Sequence, residues 1–261
     1  MEPTTIFLSA CVIVLIYLVY YTYTFNATVL LSSVTPGNTV TTITPPVAAD
    51  GAIKASFTFS IWINVNDWNV NKGFYKNIIS YGTSVYISLA PNTNDVILAL
   101  KSGTSYKAMT VASNIPLQTW VHLAFTLDGS TLDTYMNGRI VTTNVVGATT
   151  YQTPSSNDKI TLAGDNVRPA ECASNTPDAI TIATWTDNKT AGCSFASSIK
   201  NPGFSGWITQ FQYAQTGTDP QGIWNIYQQG NGTSMFSNFF GNYGLLIALT
   251  NNGVSQNSIS I

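Results

Sequence analysis

The clearest pattern in the chain is an alternation of apolar and more polar residues between positions 119 and 127. Its apolar positions are Val121, Leu123, Phe125 and Leu127. Successive side chains of a β-strand point to opposite faces, so this period of two predicts a strand with one strongly apolar face. Strands at about 131–136 and 139–146 follow, each after an Asp-Gly or Asn-Gly dipeptide typical of tight hairpin turns. This three-stranded meander needs a second sheet to cover its apolar face.

Short strand patterns recur on both sides of the meander, each bounded by Gly, Asn or Pro. They fall at about 57–65, 77–81, 84–90, 95–101, 106–112 and 159–163. No amphipathic helical stretch of 10–15 residues separates them, which excludes βαβ folds. From Asn166 to Pro202 the alternation mostly fails, and this segment is interpreted as a long insertion on the rim of the domain.

The first 25 residues carry a different pattern. Residues 6–25 contain no charged side chain, and twenty helical residues span ~30 Å, the thickness of the hydrocarbon core of a bilayer. Tyrosines crowd the C-terminal end of this run, as in an interfacial belt. We predict an uncleaved, single-pass anchor over residues 1–25. The alternative is a cleaved signal peptide, but no basic residue precedes the run and no small-x-small site follows it.

Two segments flank the main domain, which is expected to span residues 50–230. Residues 26–49 are rich in Thr, Val and Pro and form either an extended stalk or a strand on the edge of the domain. Residues 231–261 are an Asn-, Ser- and Gly-rich tail around one apolar run, Tyr243–Leu249. That run is suited to pairing with a sheet edge of this domain or of a neighbour.

Three stretches resemble parts of one known kind of domain. The sequence W-V-H-L-A-F-T-L-D-G, followed by L-D-T-Y-M-N-G-R, resembles the central hairpin of laminin-G-like modules of the concanavalin-A-like lectin/glucanase superfamily. Residues 57–65 resemble the early inner strand, and 203–214 with 223–230 resemble the closing strand and short helix. The resemblance implies an all-β fold, a two-sheet antiparallel jelly-roll sandwich over roughly residues 50–230. It implies little about function.

Composition narrows the classes of partner. Only 8% of the residues are charged, against a usual ~25%, and the net charge is −2. A nucleic-acid partner is therefore not expected, because such partners require a basic surface. Aromatic residues at 12% and hydrophobic residues at 44% exclude a disordered chain.

Two cysteines lie in the insertion and could be bridged. A Cys172–Cys193 disulfide would close a loop of a size that contributes ~3 kcal/mol. The alternative is two free thiols in a reducing compartment. The triplets that permit N-glycosylation begin at Asn26, Asn188 and Asn231.

Catalysis is not expected, although the resemblance includes glucanases. Their signature resembles E-x-D-x-x-E on one strand, because glycoside hydrolysis needs two carboxyl groups across the scissile bond. This chain has two glutamates, Glu2 and Glu171, and no predicted strand carries carboxylates at positions i and i+2. His122 has no evident Ser or Cys partner and is interpreted as a packed strand residue.

Candidate binding residues come from loops. Laminin-G-like modules often bind Ca²⁺ at the sandwich rim, and the resemblance offers Asp165 and Asn166 as weak calcium candidates. No other cofactor is expected. Trp68 and Trp185 lie in loop-like contexts where an aromatic ring can stack on a sugar. The remaining tryptophans are expected in the core: Trp62, Trp120, Trp207 and Trp224.

Two functions remain open. Laminin-G-like domains behind one N-terminal anchor, in charge-poor chains rich in Asn and Thr, resemble minor capsid or virion-membrane proteins of large double-stranded DNA viruses. That resemblance implies a non-catalytic structural protein that links an internal membrane to a protein shell, with the bilayer and neighbouring capsid or membrane proteins as partners. The alternative is a lectin-like adhesin or receptor that binds glycans at a cell surface. The insertion and the tail are expected to carry the partner contacts.

Overall fold

The computed structural model describes the β-rich part of the chain and a few positions outside it. The described residues are 11, 13, 14, 28–46, 55–102, 105–146, 151–164, 166–169, 198–232, 246–251 and 254–260. Several predicted positions lie outside them: Asn26, Asp165, Cys172, Trp185, Asn188 and Cys193. Within the described residues, no helix combines the length and the apolar character that a membrane span requires.

Seventeen strands and one helix have described bounds, and Cys11, Ile13 and Val14 are also helical. In chain order they are β1 Thr28–Leu31, β2 Thr35–Pro36, β3 Thr41–Ile43, β4 Phe57–Asp67, β5 Lys76–Tyr81, β6 Val85–Leu89, β7 Val96–Ser102, β8 Ser105–Ala112, β9 Trp120–Asp128, β10 Thr131–Met136, β11 Arg139–Val145, β12 Ile160–Leu162, β13 Asn166–Pro169, β14 Ser198–Asn201, β15 Ser205–Ala214, α1 Pro220–Gln228, β16 Leu246–Asn251 and β17 Val254–Ser260.

Two antiparallel sheets form a sandwich. One sheet has seven strands in the order β1-β15-β4-β9-β10-β11, with β2 also paired to β15. The other has six strands in the order β3-β12-β5-β6-β7-β8. Every strand pair is antiparallel, and neighbours such as β15 and β4 are distant in sequence. The fold is therefore the all-β, two-sheet sandwich that the sequence predicted, with the order of a jelly roll.

The apolar faces of the two sheets meet in one core. Phe59 in β4 stacks on Phe211 and Tyr213 in β15, with ring centroids 6.0 and 5.4 Å apart. In β9, Leu123 and Phe125 belong to the core between the sheets and Ala124 packs against the other face, which confirms the predicted phase of that strand. Trp120 is only partly buried, so its predicted place in the core is wrong. It is the first residue of β9 and alternates with Val121 of the core, so it lies on the outer face of the sheet, which the opposite sheet does not cover.

The turn between β10 and β11 follows the expected chemistry. Asn137 and Gly138 have φ angles of 52° and 74°, the left-handed values that a tight hairpin turn requires. The Asn137 side-chain oxygen accepts a hydrogen bond from the backbone N–H of His122 at 3.0 Å. The backbone N–H of Asn137 in turn donates to the His122 carbonyl at 2.8 Å. This pair of bonds ties the turn to β9.

The segment before residue 50 belongs to the sandwich. β1 and β2 pair with β15, and β3 pairs with β12. Of the two interpretations of residues 26–49, the edge strand describes residues 28–43. The fold therefore begins before Asp50, because these strands extend both sheets.

The insertion leaves and re-enters the sandwich at one place. The side-chain amide of Asn77 donates to the Ala163 carbonyl at 3.0 Å, where the chain leaves. The backbone N–H of Asn77 donates to the Pro202 carbonyl at 3.0 Å, where the chain returns. Next to these ends, β13 pairs with β14 as a separate two-stranded sheet. The two sheets of the sandwich are therefore continuous on both sides of the insertion.

The apolar run of the tail pairs within the tail. β16 contains most of this run and pairs with β17 in an antiparallel hairpin. The sequence predicted a sheet edge of the sandwich or of a neighbour as its partner. The partner in the structure is instead the segment that follows it in the chain.

The helix α1 covers the outer face of the larger sheet. The Asp219 carboxylate caps it by accepting the Gly222 N–H at 2.6 Å, and Pro220 occupies its first turn. Ile223 and Ile226 pack on Ala124 and Tyr135, and all four side chains are buried. β9 is consequently buried on both faces, which its alternating pattern alone did not predict.

Candidate ligand-binding site

Three loops meet at one end of the sandwich and enclose a groove. The first follows β4 and carries Trp68, the second joins β6 to β7, and the third joins β8 to β9. Between them lies a depression of about 560 Å³. Its lining residues are Trp68, Asn92, Thr93, Asn94, Asp95, Ser113, Asn114 and Leu117. Apart from Trp68 and Leu117, every lining side chain carries an amide, hydroxyl or carboxylate.

The Asp95 carboxylate joins the two polar walls of the groove. One of its oxygens accepts the backbone N–H of Asn114 at 3.0 Å, and the other accepts the Thr93 hydroxyl at 2.8 Å. The N–H of Ala90 donates to the Asp95 carbonyl at 2.8 Å and closes the loop that contains it. A charged acceptor of this kind makes strong hydrogen bonds, so the two loops hold a fixed spacing.

A second set of bonds ties the same two loops together. The Asn94 side-chain amide donates to the Ile115 carbonyl at 3.0 Å, and the Ile115 N–H donates to the Asn94 carbonyl at 2.8 Å. Ile115 itself is fully buried in the core. The groove is therefore built on anchored backbone, and its shape is present before any ligand binds.

Trp68 supplies the aromatic wall. The residue is partly exposed and packs against the edge of the main core. Its indole Nε1 is buried and has no hydrogen-bond partner among the described residues. An aromatic ring in a polar groove offers a flat apolar surface next to hydrogen-bonding groups, the combination that suits a sugar ring. The sequence singled out Trp68 for this stacking role, and the structure places it in the groove.

Behind Trp68 lies a buried cation. The Lys76 ammonium is 4.2 Å from the centroid of the Trp68 ring, and the Lys76 side chain is 0% exposed. Its Nζ has no hydrogen-bond partner in the described part of the chain. Burial disfavours the charged form and lowers the pKa of Lys76 to about 8. No sequence pattern singles out Lys76, because it is simply the first residue of a strand.

His122 lies elsewhere and serves the fold. It is fully buried in β9, and its Nε2 is 2.8 Å from the Ser60 hydroxyl. Its ring centroid is 5.3 Å from that of Trp62 and 5.7 Å from that of Tyr227. Burial lowers the pKa of His122 to about 3, so the imidazole is neutral at pH 7. The expectation of a packed strand residue is confirmed.

The other tryptophans divide between core and surface. Trp62 is buried, as predicted, and Trp224 is partly buried on α1. Trp207 is 40% exposed, so its predicted place in the core is wrong. It alternates in β15 with Ile208, which belongs to the core, so it lies on the outer face of the sheet.

Only some of the predicted metal-binding and glycosylation residues are among those that the structure describes. Asp165 is not among the described residues, and Asn166 is the first residue of β13. No group of three His, Cys, Asp or Glu side chains that could hold a metal ion occurs in the ranges that the structure describes. Asn231 follows α1 and is partly buried.

Comparison with known proteins places the fold in a family. The profile described as the concanavalin A-like lectin/glucanases superfamily matches residues 37–173, more than half of the chain. The chain belongs to this superfamily. A search of curated proteins found no match to the sequence. The superfamily assignment agrees with the two-sheet sandwich and with the resemblance found in the sequence.

Solved structures similar to this chain include binding domains of botulinum neurotoxins. One, the binding domain of botulinum neurotoxin DC in complex with SialylT, has a TM-score of 0.50 and 16% identity over 79% of this chain and 47% of that chain. Another comes from a study of botulinum neurotoxin type C, whose cell entry depends on interaction with two ganglioside molecules. It has a TM-score of 0.50 and 15% identity, and the match covers 78% of this chain and 51% of that chain. The chain thus spans about half the length of these structures. At this identity, the likeness shows the fold.

Proposed function

We propose that this chain is a non-catalytic, lectin-like binding module whose groove at Trp68 binds a glycan. The observation that carries the proposal is the partly exposed Trp68 ring in a groove that is otherwise lined almost entirely by amides, hydroxyls and one carboxylate. A sugar presents an apolar face for stacking and hydroxyl groups for bonding, and this groove offers a partner for each.

Membership of the lectin/glucanase superfamily supports a carbohydrate ligand. Of the two toxin structures described above, one is a binding domain in complex with SialylT, and the other concerns cell entry that depends on interaction with two ganglioside molecules. Since this chain covers only about half of each, we base the proposal on the groove. Among the described residues, the only carboxylate that lines it is Asp95, and glycoside hydrolysis needs two.

Glycan binding can be tested with two tryptophan variants of the full chain. We expect the unmodified chain to bind members of a glycan array and Trp68→Ala to lose that binding. Trp207→Ala is the matched control, because Trp207 is also an exposed tryptophan but does not line the groove. Equal binding by the native chain and Trp68→Ala would place the ligand elsewhere. Loss of binding in the Trp207→Ala control would do the same.

A second function is favoured by a different surface. β11 is an edge strand of the seven-stranded sheet, and Ile140 and Val145 on it are 52% and 70% exposed. Unpaired edge strands with apolar side chains are suited to pairing with another chain. We therefore retain, as a second proposal, a structural protein anchored in a virion's internal membrane by residues 6–25 and docked on neighbouring capsid or membrane proteins. Detection of the protein in purified particles would support it, whereas finding it only in uninfected cell membranes would refute it.

A further inference from the structure

The groove has an unpaired positive charge directly behind its aromatic wall. Lys76 is fully buried, and its Nζ lies 4.2 Å from the Trp68 ring centroid with no hydrogen-bond partner among the described residues. Burying an unpaired ammonium is unfavourable, and only the contact with the Trp68 ring offsets it there. Ionisable groups in such surroundings occur preferentially at functional sites.

The Trp68 ring stands between this charge and the groove. Trp68 lines the groove and Lys76 does not, so the ammonium contacts the buried side of the indole. A cation held on one face of an aromatic ring attracts the electron density of that ring towards itself. The opposite face of the ring, which the ligand contacts, then interacts more favourably with negative charge. Because the ammonium itself is buried, its charge also attracts an anion across the ring.

We propose that the groove prefers acidic sugars, whose carboxylate lies at the Trp68 face within range of the Lys76 charge. This inference rests on the proposed glycan-binding function and names its ligand class: a sugar that carries a carboxylate, such as a sialic acid or a uronic acid. Lys76 is in this sense a specificity-determining residue. It contributes through its charge and does not touch the ligand.

The acidic residue of the groove fits this orientation. Asp95 already accepts hydrogen bonds on both carboxylate oxygens, from the Asn114 N–H and the Thr93 hydroxyl. These donors offset part of its negative charge. The ligand carboxylate lies away from Asp95, and uncharged sugar hydroxyls face the loop that carries it. Asn94 and Asn114 complete the polar side of the groove.

The test compares sugars that differ in one acidic group. The full chain is titrated at pH 7 with sialyllactose and with its methyl ester, in which the carboxyl group is uncharged, and then with oligosaccharides ending in glucuronic acid or in glucose. We expect each acidic member to bind on the order of tenfold tighter, the effect of a unit charge roughly 8 Å away in a medium of intermediate dielectric. The quantity measured is the ratio of the acidic to the neutral affinity.

Three variants test whether the charge of Lys76 causes this preference for acidic sugars. Lys76→Met keeps the length of the side chain without its charge, and we expect the ratio to fall close to one. Lys76→Arg keeps the charge and should keep the preference. Lys72→Met removes an exposed charge from the loop that carries Trp68 and should leave the ratio unchanged.

The pH dependence gives a readout that a purely structural role would not change. Because the pKa of Lys76 is lowered to about 8, the ammonium loses its proton above that pH. The acidic preference of the native chain should therefore decline as the pH rises from 7 to 9, and that of Lys76→Met should not change.

The possible outcomes separate the two proposals. A preference that disappears in Lys76→Met and persists in Lys72→Met supports the inference. Equal binding of acidic and neutral sugars overturns it and leaves the glycan-binding function intact, provided that Trp68→Ala still abolishes binding. A preference that survives in Lys76→Met also overturns it, because the carboxylate is then recognised by another group. If no sugar binds, both proposals fail.

Discussion

The groove at Trp68 and the sheet surface beneath α1 both bury a basic nitrogen against aromatic rings. At the groove, the Lys76 ammonium lies 4.2 Å from the Trp68 ring centroid. Beneath α1, the His122 ring packs against those of Trp62 and Tyr227, and its Nδ1 has no hydrogen-bond partner among the described residues. Burial lowers the pKa in both places, to about 8 for Lys76 and to about 3 for His122.

The difference lies in what covers the rings. Above Trp62 and His122, α1 completes a closed layer, and the Ser60 hydroxyl contacts the imidazole Nε2 at 2.8 Å. Next to Trp68 there is an open groove, and Lys76 has no such partner in the described part of the chain. A perturbed pKa therefore does not identify a site by itself. A perturbed group next to an accessible, polar concavity is a candidate for one.

The largest effect expected from this comparison is on stability. Trp62→Ala removes a ring that is 8% exposed and stacked on Tyr227 at 5.5 Å, and we expect it to cost ~3–5 kcal/mol of unfolding free energy. Trp68→Ala removes a partly exposed ring and lets water reach the Lys76 ammonium, so it should cost only about 1–2 kcal/mol. Urea denaturation of both variants measures the difference. Equal losses would show that Trp68 is as much a core residue as Trp62.

The two basic groups should make stability depend on pH in separate windows. Each folded-state pKa lies below the ordinary value, 6.5 for His122 and 10.5 for Lys76, so the unfolded state binds the additional proton between the two values. Stability therefore rises with pH from about 3 to 6.5 for His122 and from about 8 to 10.5 for Lys76. The slope in each window is at most about 1.4 kcal/mol per pH unit.

Matched variants separate the two windows. Urea midpoints of His122→Gln measured against pH should lose most of the rise on the acid side and retain the rise on the alkaline side. Lys76→Met should show the reverse. An alkaline rise that persists in Lys76→Met would mean that the Lys76 ammonium is not desolvated as the structure indicates.

The smallest expected effect concerns α1, which covers the region of Trp62 and His122 but not the groove at Trp68. Asp219→Ala removes the side-chain cap of α1, where the Asp219 carboxylate accepts the Gly222 N–H at 2.6 Å. We expect a loss of about 1 kcal/mol, the usual contribution of such a cap. Hydrogen exchange should increase in α1 and in the strands beneath it, while the groove loops keep the protection of the native chain. Faster exchange at the groove would show that the two regions are coupled.

Much of the sandwich could be predicted because its strands carry local signals. The alternation at 119–127 and the Asn137-Gly138 turn placed β9, β10 and β11 within a residue or two of their observed limits. The burial of the outward-facing side chains of β9 could not be predicted. Their burial depends on α1, about one hundred residues later in the chain, and no periodicity within β9 records that contact.

The candidate site was predictable only in part, for a similar reason. Trp68 was recognisable as an aromatic residue in a loop after a strand. Lys76, Asp95 and Asn114 were not, because they come from β5 and from the β6–β7 and β8–β9 loops, which meet near Trp68 only in the folded chain. Trp207 shows the opposite error. It lies on a regular strand, yet it is exposed because it alternates with Ile208 of the core and therefore faces outward.

The double anchorage of the insertion at Asn77 makes this sandwich suitable as a display scaffold. The points of exit and return, Ala163 and Pro202, are hydrogen-bonded to the same asparagine. The gap between the two ends of the insertion is therefore short and fixed. Closing a flexible loop over such a gap costs only ~0.6 kcal/mol for each doubling of its length. Segments of very different length and sequence can therefore be exchanged between these two points at little cost to the stability of the sheets. The same geometry would allow this part of the chain to diversify faster than the rest.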